Sequence, residues 1–283
     1  MRVRRLIVSL LSLALCLPAG VVPARAQVPD LPALGDIASD DLSPLNERRL
    51  GESIMRQARG HPSFLNDPDT TEYLNALGYR LVSASPARHM DFEFFAIRDP
   101  MLNAFALPGG FIGIHSGLLL TTSEESELAA VLAHEVAHVT QRHIARGLEN
   151  QARVSLVSTA AMLAAILIGA MAGGGGDATM GAITAAQSMA AQSQISFTRE
   201  NEYEADRVGI GILASSGFDT TSMADFFETM GRRTQLAPDR VPELLRTHPV
   251  TSARIAEARG RANQYPPVAS HDSLGYALAR ERV

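Results

Sequence analysis

The sequence predicts an α+β fold that is mainly α-helical and contains one small antiparallel sheet. The first observation behind this prediction is that apolar residues recur at helical spacing over most of the chain. The second is that strand-like runs occur in one region, at residues 91–97 and 111–115, with a turn between them. The third is that neither a βαβ alternation nor a repeat of about 20 to 50 residues is visible.

The N-terminus has the three regions of a cleavable signal peptide. A basic start is followed by an apolar run over residues 6–17 and by an A-x-A site that ends at Ala26. We predict cleavage before Gln27 and export of the remainder. A retained membrane anchor is disfavoured because the apolar run is short. A lipoprotein modified at Cys16 is disfavoured because Leu15 stands where a small residue is needed.

Cleavage would change the chemistry of the chain in two ways. It would remove four arginines, which changes the formal net charge from −5 to −9, and it would remove the single cysteine. An acidic mature chain is not expected to bind nucleic acid. Without cysteine, a metal ion must be held by His, Asp or Glu. The 283 residues, 46% of them hydrophobic, suffice for one large domain or two small ones.

The chain divides into a signal peptide over residues 1–26, an extended lead-in over 27–45, one domain over 46–265 and a tail over 266–283. Residues 147–196 are predicted to be an apolar helical insertion in the domain. Its uncharged run of 19 residues is long enough for a membrane span but is rich in Ala, Ser and Thr. We therefore favour a helical hairpin that acts as a lid or touches the membrane surface, with a spanning helix as the alternative.

Capping signals mark the ends of several helices. Asp67 is an N-cap followed by proline at the first helical position. Thr122 and Glu125 have capping-box spacing, and Gly217 ends a later helix. The predicted helices cover residues 46–60, 67–83, 121–146, 197–213, 220–233 and 251–262, with one further short segment in the tail.

The helix predicted at residues 121–146 contains an H-E-x-x-H motif at residues 134–138. Residues four apart lie on one helical face, so His134 and His138 can bind one metal ion while Glu135 faces the same water. This is the zincin arrangement, in which two histidines bind zinc and the glutamate is the general base. The alternative is a core or surface helix that happens to carry two histidines.

A catalytic zinc site needs a third protein ligand. The acidic helix predicted at residues 197–213 supplies candidates, because Glu202 and Asp206 are four residues apart and share a face. One of them could bind the ion while the other orients a ligand histidine. Without the upstream motif, such a helix would be interpreted as a solvated surface.

These motifs together resemble the HtpX/BepA-type zinc peptidases, gluzincins related to the CAAX prenyl proteases, and most closely the periplasmic BepA branch. The H-E-x-x-H motif is followed, 64 residues after His138, by E-x-x-x-D at Glu202 and Asp206. The resemblance covers most of residues 45–283. Further matches lie at residues 103–110 (NAFALPGG), 197–199 (FTR) and 247–249 (THP), and at Arg254.

The resemblance implies a zincin-like metallopeptidase domain, with the small antiparallel sheet beside the active-site helix and one zinc ion per chain. His134, His138 and Glu202 would bind the ion. Glu135 would act first as general base and then as general acid, and Asp206 would hold His134 by its second ring nitrogen.

The resemblance also assigns roles that spacing alone does not. His248 matches a family histidine that can approach the metal, either as a fourth ligand or as a stabiliser of the oxyanion, with Arg254 nearby in the catalytic group. From spacing alone, His248 is a loop histidine. The strand after residue 109 could bind a substrate peptide that adds to it as a further strand. Such pairing uses main-chain hydrogen bonds, so it suits unfolded proteins of varied sequence. The residues of this strand are Gly110, Phe111, Ile112, Gly113 and Ile114.

The sequence is thus expected to encode a periplasmic zinc endopeptidase acting on misfolded or unassembled envelope proteins, a substrate class that rests on the resemblance. Membrane-surface or outer-membrane assembly contacts would involve residues 154–194. There are two alternative functions. One is an assembly factor that acts on outer-membrane proteins and whose own zinc site is held closed. The other is a structural protein anchored in the membrane through residues 154–172. BepA-type chains continue into a tetratricopeptide-repeat domain, whereas this sequence stops at Val283, so docking through repeats stays open.

Overall fold

The computed structural model describes residues 43–87, 89–149, 199–236, 241–269 and 271–283. The predicted signal peptide, the lead-in up to residue 42 and the predicted insertion from residue 150 onward lie outside the described residues. The described residues belong to one compact unit, Asp36–Val283. None of the helices in these ranges is both long enough and apolar enough to cross a membrane.

Helices account for most of the described structure, and several begin where side chains cap them. Ser43, Asp67 and Thr251 each accept a hydrogen bond from a backbone N–H of the first turn. The helices are α1 (Pro44–Ala58), α2 (Pro68–Ser83), α3 (Ser116–Thr121), α4 (Glu125–Thr140), α5 (His143–Glu149), α6 (Arg199–Ser216), α7 (Ser222–Leu236), α8 (Glu243–Thr247), α9 (Ser252–Ala262) and α10 (Leu274–Arg282).

The sheet is mixed, and this corrects the predicted antiparallel pairing. Its strands are β1 (Glu93–Ile97), β2 (Ala104–Leu107) and β3 (Phe111–His115), in the order β1-β3-β2. β1 pairs with β3 in parallel, and β2 pairs with β3 in antiparallel. β2 lies in the segment that was predicted to be the turn between the two strands. Because the chain reverses both before and after β2, the two predicted strands run in the same direction.

The turn between β2 and β3 depends on glycine. Gly109 has a φ of 79° and Gly110 a φ of 89°, a region that other residues rarely adopt. A Cβ on Gly109 would also lie 2.4 Å from the Cα of Arg48. The turn is therefore held tightly against α1.

β3 is the central strand, so the predicted substrate-binding strand is wrong. β1 occupies one edge of β3, β2 occupies the other, and all five residues of β3 are buried. The backbone groups of Gly110, Phe111, Ile112, Gly113 and Ile114 are consequently not available as a sheet edge. The edge beside the H-E-x-x-H helix belongs to β2, which packs against α4.

α4 is the centre of the fold. Its residues from Glu125 to Val139 are all buried, between the sheet on one side and α2, α6 and α7 on the others. α6 approaches closely because it carries Gly209 there, where a Cβ would lie 3.3 Å from the backbone nitrogen of His134. This close packing brings the acidic residues of α6 to the H-E-x-x-H motif.

α4 is shorter than predicted at both ends. It begins after Glu124, and Thr122 does not cap it, because the Thr122 hydroxyl donates to the carbonyl of Leu119. It ends at Thr140 instead of residue 146, because Arg142 adopts the left-handed conformation with a φ of 53°. The Arg142 guanidinium donates to Glu47 of α1 at 2.9 and 2.6 Å. α5 then starts in a new direction.

The predicted C-terminal tail contains a helix that is part of the same compact unit. Tyr276 of α10 is 2% exposed and its hydroxyl donates to the carbonyl of Thr122, at the start of α4. Arg282 donates to both carboxylate oxygens of Asp67, at 2.8 and 2.6 Å. The boundary predicted at residue 265 therefore does not separate the tail from the domain, since residues 271–283 pack on α2 and Ser273 donates hydrogen bonds to Glu125 at the start of α4.

Candidate metal centre

Four buried side chains from three parts of the fold converge on one point. α4 supplies His134 and His138, α6 supplies Glu202, and the residue after α8 supplies His248. One ligand atom from each lies within 4.8 Å of all the others. All four residues are buried, so an ion among them would be shielded from bulk water.

The spacing of the ligand atoms fits a tetrahedral zinc ion. The two Nε2 atoms of His134 and His138 are 3.0 Å apart, and Glu202 Oε1 lies 3.4 Å from His138 Nε2. His248 Nδ1 lies 3.3 Å from His134 Nε2 and 2.9 Å from Glu202 Oε1. Ligands at about 2.0 to 2.1 Å from a tetrahedral zinc ion are about 3.3 Å from one another. Two or three imidazoles and a carboxylate are also the donor types that zinc takes.

The electrostatics prepare these groups to bind a cation. Burial lowers the pKa of His138 well below its ordinary value, which leaves a neutral ring with a lone pair for a metal. Burial alone would raise the pKa of Glu202, but the surrounding histidines hold this pKa well below its ordinary value. Burial also opposes a charge on His134, yet Asp206 and Glu202 raise its pKa to about 10.

Asp206 lies where the resemblance placed it, behind His134. Its Oδ1 is 3.0 Å from His134 Nδ1, the nitrogen that faces away from the ligand cluster. Arg254 holds the same carboxylate with two hydrogen bonds of 2.8 Å. Such an outer contact fixes the orientation of a ligand histidine.

Arg254 joins the two acidic side chains of the site in this geometry, and its predicted place in the catalytic group stays a prediction. Its Nη1 lies 2.7 Å from Glu202 Oε2 and also donates to the carbonyl of Pro249. The guanidinium therefore links Glu202 and Asp206 to the loop that carries His248. None of its hydrogen bonds within the described residues is to Glu135.

Glu135 lies beside the cluster without belonging to it. It is fully buried, and neither carboxylate oxygen makes a well-formed hydrogen bond within the described part of the chain. The imidazole of His248 is its neighbour on the cluster side, with Nε2 3.5 Å from Glu135 Oε1. Burial raises the pKa of this carboxyl. A buried carboxylate with open acceptor positions is suited to receive a proton from a small molecule such as water.

His143 and Glu204 make contacts that the sequence patterns did not predict. His143 follows His138 by five residues and so lacks the four-residue spacing that pairs His134 with His138. In the structure, His143 Nδ1 lies 2.9 Å from His138 Nδ1, and His143 Nε2 lies 3.1 Å from Glu204 Oε2. An uninterrupted helix would place a residue five positions after His138 on another face. The left-handed Arg142 makes the contact possible, and no sequence pattern signals it.

An apolar cavity opens beside Glu135. It lies between α4, α7 and the loop around α8. Its apolar lining includes Val131, Met223, Phe227, Leu244 and Val250. The candidate base therefore borders apolar surface as well as the ligand cluster.

Comparison with known proteins agrees with this geometry. A Vibrio cholerae protein, provisionally named a beta-barrel assembly-enhancing protease, is 44% identical over 96% of this chain and 56% of its own length. Proteins named beta-barrel assembly-enhancing protease from Escherichia coli K12 and Yersinia pestis are 42% and 39% identical, each over 93% of this chain and 53% of the relative. The chain thus spans little more than half the length of these relatives.

The family comparison covers both motifs of the site. Peptidase family M48 matches residues 68–262, a stretch that contains the H-E-x-x-H helix, the acidic helix and the His248 loop. A match over this much of the sequence shows that the chain belongs to peptidase family M48.

Proposed function

We propose that this chain is a zinc endopeptidase that hydrolyses peptide bonds in misfolded or unassembled envelope proteins. The observation that carries the proposal is the position of Glu135, buried and open to a proton, beside His134, His138 and Glu202. A structural metal site would have no need for a buried carboxylate with open acceptor positions next to it.

Glu135 performs the proton transfers in this proposal. When bound, zinc would supply a Lewis acid that lowers the pKa of water to about 7. Glu135 accepts the proton from the attacking water and later delivers it to the leaving amine. The raised pKa of its carboxyl favours both steps, since a group that must take and return a proton works best with a pKa nearer the working pH.

β2 is the strand that would hold the substrate. The N–H of His115 donates to the carbonyl of Asn103, so that pair is hydrogen-bonded across the antiparallel ladder. Because such pairs alternate, the N–H and C=O groups of Ala104 and Ala106 point away from β3. The N–H of Ala106 faces the Glu135 carboxylate closely enough to oppose the rise in its pKa. An extended peptide paired with this edge would pass the candidate base.

His248 closes the site in this structure. Its Nδ1 lies 3.3 Å from His134 Nε2 and 2.9 Å from Glu202 Oε1, the spacing expected of a fourth ligand. Closed four-ligand sites are structural, whereas catalytic zinc sites keep one position open. We infer that the loop carrying His248 must move before substrate is cleaved.

Replacing His248 with alanine is therefore expected to leave zinc bound and to speed cleavage. His134, His138 and Glu202 remain as three ligands, which is the usual number in catalytic sites. Metal content after gel filtration should stay near one zinc per chain, while the cleavage rate of an unfolded protein rises. Loss of the metal would make His248 an obligatory ligand, and a fall in rate with zinc retained would make it a stabiliser of the transition state.

The substrate class and the location rest on relatives and on the predicted leader. The relatives are named for enhancing β-barrel assembly. Cleavage before Gln27 would deliver the chain to the periplasm. An assembly-factor role is the second candidate function, favoured by the relatives' names and by the closed state of the site. Contacts with the membrane or assembly machinery through residues 154–194 remain a prediction.

Metal removal tests the proposed function directly. Dialysis of the mature chain against a chelator should abolish cleavage of an unfolded protein, and one equivalent of zinc should restore it. Cleavage is followed by the appearance of new amino termini, and far-UV circular dichroism checks that the fold survives. Full activity in the metal-free chain would contradict the proposal.

A further inference from the structure

We propose that His143 and Glu204 position the metal ligand His138 through a chain of hydrogen bonds and thereby strengthen zinc binding. This inference rests on the proposed zinc site and deepens it. Glu204 contacts His143, and His143 contacts the outer ring nitrogen of His138, so both act through His138 as positioning residues.

The contacts form a continuous line from the ligand cluster to the surface. His138 presents Nε2 to the cluster and Nδ1 to His143, 2.9 Å away. His143 presents its other nitrogen to Glu204 at 3.1 Å, and Arg146 donates to the same Glu204 oxygen at 3.0 Å. His143 is 1% exposed, whereas the side chains of Glu204 and Arg146 are 33% and 50% exposed. The line therefore ends in an ion pair that reaches solvent.

The position of the proton on each imidazole ring determines which nitrogen donates and which accepts in these hydrogen bonds. A neutral histidine that binds a metal through Nε2 carries its proton on Nδ1. His138 must then donate to His143 Nδ1, because two protonated nitrogens cannot face each other at this distance. A neutral His143 accepting at Nδ1 carries its proton on Nε2 and donates it to Glu204. Each bond fixes the tautomer required for the next, and the carboxylate of Glu204 ends the series.

The arrangement matches the one behind the other ligand histidine. His134 is held directly by Asp206, whose carboxylate is bound by Arg254. His138 is held by a carboxylate and an arginine as well, but with His143 interposed. α6 carries both carboxylates, and α5 supplies the intervening imidazole. Both ligand rings are thus oriented from outside, as expected for a site that must bind its metal tightly.

The backbone of the α4–α5 junction is built for this contact. Arg142 adopts a left-handed conformation that few residues other than glycine tolerate, and Glu47 of α1 holds its guanidinium. The reversal turns His143 back against α4. A strained residue at a functional site is expected where the surrounding contacts compensate for it.

The test is zinc affinity, measured by competition with a chromogenic chelator in the absence of substrate. We expect His143→Ala to weaken zinc binding by about 10- to 100-fold, the usual effect of losing an outer contact of a ligand histidine. Glu204→Ala should weaken it by less, and the double variant should bind zinc as His143→Ala does, because Glu204 acts only through His143. His271→Ala and Glu200→Ala, at exposed positions, are the controls and should bind zinc like the unmodified chain.

Each outcome of these measurements either supports or overturns the proposal. Unchanged affinity in a folded His143→Ala overturns the proposal, as do fully additive losses in the double variant. If His143→Ala does not fold, the partly exposed Glu204→Ala carries the test, and unchanged affinity there overturns it. His143→Gln, which keeps one acceptor and one donor, should recover part of the affinity. An unmodified chain that binds zinc without cleaving overturns only the proposed function, whereas one that binds no zinc overturns both.

Discussion

Glu135→Gln should abolish peptide-bond cleavage while leaving zinc bound. Glutamine has nearly the same shape as glutamate, so the fully buried position can accept it without a cavity. It cannot take a proton from water or return one to an amine. Since general acid–base groups contribute about 10²- to 10⁴-fold, the rate of cleavage should fall by at least about 100-fold.

The measurements for Glu135→Gln are cleavage of an unfolded protein and zinc content per chain. Glu124→Gln, which makes the same change at an exposed position just before α4, is the matched control and should keep full activity. Undiminished cleavage by Glu135→Gln would contradict the assignment of Glu135 as the general base. Loss of zinc from the variant would show that Glu135 belongs to the ligand set, which its position outside the cluster argues against.

The same variant separates the two candidate functions. An endopeptidase that removes misfolded envelope proteins requires the chemistry of Glu135. An assembly factor whose zinc site is latched by His248 does not. In cells that lack the native protein, restoration of outer-membrane protein assembly by Glu135→Gln would favour the assembly role, and failure would favour proteolysis.

Sequence signals succeeded where neighbours in the chain determine the structure. Asp67 accepts a hydrogen bond from the N–H of Thr70, three residues later, and so starts α2 as predicted. Gly217 follows α6 with a φ of 73°, which a glycine adopts without strain. The H-E-x-x-H motif and the E-x-x-x-D motif each depend only on helical periodicity. Their side chains are therefore placed correctly once each helix forms.

The incorrect structural predictions concern features that are determined by residues distant in the sequence. The end of α4 is set by Arg142, whose conformation is held by Glu47, 95 positions earlier. The contact of His143 with Glu204 joins residues 61 positions apart. The direction of strand pairing was missed because β2, a four-residue strand, resembles a loop next to the Pro-Gly-Gly turn. Strand-like composition predicts that a sheet exists but not the order of its strands.

Glu202→Ala should remove zinc without unfolding the protein, which separates the ligand role of this residue from a structural one. Truncation deletes the sole carboxylate of the four-residue ligand cluster. Zinc affinity should fall by more than about 100-fold, because loss of an outer contact alone costs about 10- to 100-fold. The fold should persist, since Arg254 keeps both hydrogen bonds to Asp206 and its buried charge stays paired.

Glu200→Ala supplies the matched control, because Glu200 is an exposed acidic residue two positions before Glu202 and therefore on the opposite side of the same helix. It should bind zinc and unfold like the unmodified chain. A second variant, Glu202→Gln, keeps the size of the side chain and an oxygen atom but removes the charge. If zinc were held chiefly by the three histidines, the Glu202→Gln variant would bind zinc almost as tightly as the unmodified chain does. We expect it to bind far more weakly, because the carboxylate supplies the only negative charge within the four-ligand cluster to offset a divalent cation in a buried site.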